Sequence, residues 1–274
     1  NGAAVEGEHH LPGLDPVANL SGFVSNTRTA FDSGRQERKI GASRDRLKDH
    51  YGVPPGLLRE LDGHRTSVGP WEVMAAWAYE VDWSPAPVFQ NYSAYTAKLD
   101  QLNADVIASA SGPDRILRHP GRNPKRPARG IDGRRLAWDP PAQSVATLCN
   151  FRPVGQSFDW QVLARIPDRC GPMVPAGSVH SSFGQAVQVP QPGPGQVVLV
   201  RIHGAEVGGL ERIRSFLFRP KERRIESDSG SSRLVPGTAA DGLMLRAGPG
   251  TPEATGRFAQ IPDLRSLKLT GSSG

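Results

Sequence analysis

Residues 85 to 107, PAPVFQNYSAYTAKLDQLNADVI, set three aromatic rings beside amides, hydroxyls and carboxylates within one short stretch. That combination suits a glycan. Aromatic faces cover the apolar faces of a sugar, and planar amide or carboxylate groups bond its hydroxyls. The candidates are Gln90, Asn91, Tyr92, Tyr95, Asp100 and Asn103. Tyr95, Leu99, Leu102 and Val106 recur at the helical period, with Ser93 or Thr96 as the cap and Gly112-Pro113 as the stop. VFQNY before them reads as a short strand, which sets Gln90 and Tyr92 on one face and Asn91 on the other. A helix starting at Ser93 places Asp100 and Asn103 on one face, three residues apart. Gln90, Tyr92, Tyr95, Asp100 and Asn103 then line one cleft. The competing reading makes Phe89, Tyr92, Tyr95 and Leu99 core, with the polar groups satisfying backbone at the junction.

Other reactive residues are sparse. Cys149 and Cys170 are the only cysteines, without a CxxC spacing and without the further ligands of a metal site. They fit one disulfide, closing a loop of about 20 residues worth ~3 kcal/mol and placing the chain outside the cytoplasm; two buried free thiols are the alternative. Asp159 with Asp168, or Glu72 with Asp82, are the acid pairs that folding can bring together for glycoside hydrolysis. Asp132, Asp139 and Asp241 sit in turn contexts, where Asp caps backbone. There is no HExxH, GxSxG or Walker motif, and the nearness of Ser178, His180, Ser181 and Ser182 in sequence says nothing of a triad. No catalytic residue, metal ligand or cofactor is assigned.

The surrounding elements follow from composition and pattern. The chain has 274 residues, of which 37% are hydrophobic, with 31 Gly and 25 Pro; many turns and short strands are expected. No apolar run approaches the ~20 residues of a membrane helix. The net charge of +6 is mild, and an Arg-rich, GC-rich coding bias accounts for it without a nucleic-acid partner. Residues 1–20 read as a flexible leader. RDRLKDHYGVPPGLLREL reads as two short helices broken at Gly52–Pro55; its second helix offers Pro, Gly and Leu where a DNA-reading helix needs polar groups. Residues 21–130 form a mixed α/β portion, ending in a basic, Pro-rich loop at 119–130 that is solvated or meets an anionic surface. Short β-prone segments from WQVLARI to DGLMLR, separated by turns, make residues 131–270 an antiparallel, jelly-roll-like β-sandwich. The expected class is therefore α+β, with two portions that can share a core. Five Trp residues read as core, with Trp160 beside the proposed disulfide.

PVFQNYSAYTAKLDQLNADVI, PDRIL, IDGR, WQVLAR, RCG, QAVQVP and LVPGTAADGLML together resemble the soluble extracytoplasmic part of large multi-pass membrane proteins of high-GC actinobacteria, themselves similar to lipid-linked-sugar glycosyltransferases. The resemblance spans about residues 45 to 246. It implies a domain tethered to the membrane near envelope polysaccharide assembly, with the chemistry in the membrane-embedded part, and it carries over no catalytic residue. The expected function is non-catalytic: binding or orienting an envelope glycan or glycolipid for a membrane-embedded transferase of the same chain. The alternatives are a structural or protein-interaction module and a polysaccharide hydrolase.

Overall fold

The computed structural model describes residues 32–120, 130–205, 222–254, 258, 259 and 261–271. The expected leader at 1–20, most of the basic loop at 119–130 and the β-prone IRSFLFRP stretch lie outside them. The chain divides into two compact units, residues 1–50 and 51–274. In the first, the described chain is helix α1 (Ser33–Tyr51), whose last residue opens the second unit. Asp32 caps it by accepting from Arg35 N–H at 3.0 Å, and Lys48 and His50 suit the negative end of its dipole. The first of the two expected helices is thus much longer than its sequence pattern indicates. No described helix is long and apolar enough to cross a membrane.

The second unit is α+β. Helix α2 (Pro55–Arg59) starts on a proline, whose missing N–H is harmless in the first turn. Its Leu57 and the following Leu61 are buried in a core cluster with Val53, Val68, Leu117, Trp160 and Val162, so these leucines pack inward. A four-stranded sheet has the order β1 (Thr66–Gly69), β2 (Arg115–Arg118), β4 (Gln161–Arg165), β3 (Phe151–Gln156). The β1–β2 pair is parallel, because helices α3 (Met74–Ala78) and α4 (Ala97–Ala108) lie in the crossover; the others are antiparallel. Register explains its two-sided core. Val68, Leu117 and Val162 pair across one face, and Ile116 pairs with Leu163 on the other, where Ile107 of α4 and Phe151 join them. β3 carries an irregularity between Pro153 and Gly155.

β2 precedes residue 130 and β4 follows it, so strands from both expected portions share this sheet. The remaining strands form a four-stranded antiparallel sheet, β5 (Ala186–Gln188), β10 (Ser266–Gly271), β7 (Arg223–Ser227), β8 (Gly230–Leu234), and a ribbon of β6 (Val197–Val200) with β9 (Leu243–Ala247). Ile225, Leu234, Leu243, Met244, Leu245 and Leu267 belong to one cluster, which Trp138 and Leu148 of the α5 (Pro141–Asn150) region also enter. Trp138 donates its Nε1–H to Met244 O at 2.7 Å.

Cys149 and Cys170 are bonded, with Cα atoms 5.2 Å apart. The bridge lies at the open end of the β3–β4 hairpin. Trp160 lies at the opposite, turn end, where it donates Nε1–H to Tyr51 O at 2.7 Å and meets the rings of Tyr51 and His119 edge-on. The expected neighbourhood of Trp160 and the disulfide is therefore not formed: the hairpin register sets them at its two ends.

Candidate binding site

The stretch 88–95 is neither strand nor helix. After bends at 87–90 comes a single 3-10 turn, Asn91–Ser93, and α4 starts only at Ala97 with Thr96 as its cap. Thr96 Oγ1 accepts from Leu99 N–H at 3.4 Å. The expected strand fails for a local reason. Val88 finds its hydrogen bonds in a side chain and not in a neighbouring strand: Asn103 Oδ1 accepts its N–H at 2.8 Å, and Asn103 Nδ2 donates to its carbonyl at 3.0 Å. The same amide donates to Gln143 Oε1 at 2.8 Å, so Asn103, 0% exposed, ties the loop to α5.

Arg134 fixes the other end of the loop. Its buried guanidinium donates to Tyr92 O at 2.7 Å, to the Tyr95 hydroxyl at 2.6 Å and to Asp139 Oδ1 at 2.9 Å, and lies 4.7 Å from the centre of the Tyr95 ring. Burial pushes Asp139 up to about 6 against the pull of Arg134. Burial opposes the charge on Arg134 as well, yet Asp139 and Tyr95 outweigh it and hold its pKa above the usual arginine value. Gly237 supports the same loop: a Cβ there would sit 2.2 Å from Tyr95 O, so a side chain is excluded.

These two stakes hold rings outside the core. Tyr95 is 46% exposed and Phe89 47%. Trp83, 43% exposed, meets Phe89 edge-on with ring centres 5.9 Å apart. Trp83 is positioned by the backbone, because the Asp82–Ser84 segment bonds to Thr66 of β1 on both sides of a parallel bridge. Gln90, Asn91 and Tyr92 are half-buried. Among the described residues Asn91 Oδ1 is buried without a hydrogen-bond partner.

Asp100 faces inward. It is 0% exposed, and its two oxygens accept from Ala142 N–H at 2.8 Å and Gln143 N–H at 2.9 Å, capping α5, whose own Pro140 offers no side-chain cap. Burial first, and Asp241 beside it, push Asp100 up to about 7. Asp241 is raised as well, chiefly by burial, against the pull of Asp100 and Arg201. Its buried Oδ2 lacks a partner unless one of the two carboxylates carries a proton.

Gln90, Tyr92, Tyr95, Asp100 and Asn103, expected to line one cleft, therefore fall into two groups. Gln90, Asn91, Tyr92 and Tyr95 form the loop, and Asp100 and Asn103 are fully buried behind it. Arg134, Asp139, Asp241 and Gly237, which hold the loop or its support, carry no sequence signal of that role, because each comes from a distant turn. The acidic residues singled out in the sequence have these partners and settings. Asp168 accepts from Cys170 N–H at 2.9 Å, Asp132 pairs with Arg233 at 3.2 Å, and Glu72 is buried while Asp82 is exposed. Ser181 and Ser182 bond to Gln185.

No protein family, curated protein or solved structure matches the chain.

Proposed function

We propose that the chain is a non-catalytic extracytoplasmic module that binds an envelope glycan or glycolipid through the loop 88–95 and Trp83, orienting it for a membrane-embedded transferase. One observation carries this reading: a loop fastened at both ends by the buried side chains of Asn103 and Arg134 keeps Phe89 and Tyr95 in solvent, and Phe89 meets the exposed Trp83 of the preceding segment. Apolar rings held out of the core on a pre-ordered loop cost stability, and stacking on a ligand returns it. Oxidising compartments, where disulfides persist, fit the Cys149–Cys170 bridge. The nested pairing of β5 with β10 and β6 with β9 supports a jelly-roll-like sandwich, a frame that lectins use. The hydrolase reading finds little support at the pair Glu72 and Asp82, since Glu72 is buried while Asp82 is exposed.

The test is a glycan array followed by titration of the strongest ligand. Replacing Trp83 or Phe89 by Ala is expected to weaken binding by about 1 kcal/mol each, roughly fivefold, with little change in unfolding temperature; Tyr95→Ala is expected to weaken binding and also to lower stability, because it takes a partner from buried Arg134. Undiminished binding by the triple variant, or no glycan bound at all, rejects the reading.

The protein-interaction alternative rests on a different surface. Met173, Val174, Val179 and Phe183 are all exposed along an uncharged stretch of irregular chain. It gains weight if truncating those four side chains removes binding to a partner protein while the ring variants keep it.

A further inference from the structure

We propose that Cys149, Cys170 and Asp168 form a redox-gated site for a thiophilic divalent cation of the zinc class, open once the disulfide is reduced. One sulfur from each cysteine and one carboxylate oxygen of Asp168 all lie within 4.8 Å of one another. Two thiolates and a carboxylate are donors that a zinc-like ion takes, leaving a fourth, tetrahedral position for water. Asp168 and Cys170 are exposed, so ion and water have access, and Cys149 is buried behind them. Two metal–sulfur bonds of about 2.3 Å at the tetrahedral angle set the sulfurs about 3.7 Å apart. With the Cα atoms at 5.2 Å, side-chain rotation alone covers that separation.

The backbone of the site does not depend on the sulfur–sulfur bond. Arg169 N–H donates to Cys149 O at 3.1 Å, and Ile166 N–H to Asn150 O at 2.8 Å. The Arg169 side chain donates to Leu148 O at 2.7 Å and pairs with Glu253 at 2.5 Å. Asp168 Oδ1 is aimed by the Cys170 N–H at 2.9 Å, which leaves the second carboxylate oxygen for the ion. Reduction therefore frees two thiols inside a loop that remains anchored.

The exchange balances with a dithiol as reductant. Its thiolate attacks the exposed Cys170 sulfur, and the bond to Cys149 breaks, leaving a thiolate that takes a proton. The second thiol of the reductant then displaces Cys170, and the reductant becomes a cyclic disulfide, having given up two electrons. Binding of the ion next displaces the two thiol protons, which makes the affinity rise with pH.

The test reduces the whole chain with a phosphine, which adds no competing thiol, and titrates Co²⁺ and then Zn²⁺. The expected result is one ion per chain by native mass spectrometry. A thiolate-to-cobalt charge-transfer band should appear, absent from the oxidised chain and displaced by Zn²⁺. Asp168→Asn should weaken Co²⁺ at least tenfold, since even outer-shell changes cost about 10- to 100-fold. A reduced, folded chain with no band overturns the proposal, as does an ion shared between two chains or a band indifferent to Asp168→Asn. If reduction unfolds the chain, near-ultraviolet dichroism decides: recovery on adding Zn²⁺ supports the site, and no recovery overturns it.

Discussion

Asp100 and Asp241 show how one proton can hold three segments together. Asp100 lies on α4, caps α5, and meets Asp241 on the turn before β9. Both carboxyls are raised above their ordinary values, so the folded state holds a proton that the unfolded chain releases near 3.8. The stability from that proton is complete below about pH 4 and is lost as pH rises through about 7. Asp241→Asn supplies a permanent hydrogen-bond donor in its place. The variant is expected to match the parent near pH 4 and to exceed it near pH 8 by about 1 kcal/mol, the worth of one hydrogen bond, because burial of Asp100, the larger cause of its shift, remains. Denaturant titrations of both proteins across that range measure the difference; parallel pH profiles would show that the two carboxylates do not share a proton.

At the scale of elements, the loop 88–95 is an irregular piece held by regular ones. Gly237 must lack a side chain for Tyr95 to sit where it does. Gly237→Ala is expected to cost about 1–3 kcal/mol through a forced shift of one chain past the other, and to weaken glycan binding. Unchanged thermal unfolding together with unchanged near-ultraviolet dichroism would remove that role. What the sequence disclosed follows the same division. Local pattern found α4, though it left the cap open between Ser93 and Thr96, and strands β4, β5, β6 and β9, because periodicity is written within a few residues. It placed a strand at VFQNY because Val, Phe and Tyr favour one, whereas Asn103, fifteen residues on, takes the backbone bonds a strand would need. Short β1 and β2 escaped for a similar reason, since each owes its burial to partners far along the chain. Tyr95 was legible as a candidate; Arg134, which holds it, was not, because contact across about 40 residues leaves no mark on spacing.

For the whole molecule, the disulfide and the sheets set the limits of what can move. The bridge closes a loop of 21 residues containing the β3–β4 hairpin. Replacing both cysteines by Ala is expected to lower stability by about 3 kcal/mol, roughly 10 °C in unfolding temperature; calorimetry under oxidising conditions reads it, and a change under about 2 °C would deny the bridge its part. The irregular step in β3 has a consequence of another kind. β3 ends one side of the mixed sheet, where Pro153 brings no N–H and the break in register twists the row of backbone groups. The opposite border, β1, is covered by Asp82–Ser84. Among the described residues, both rims of this sheet are thus interrupted, which makes it a poor template for an incoming strand and discourages edge-to-edge pairing there.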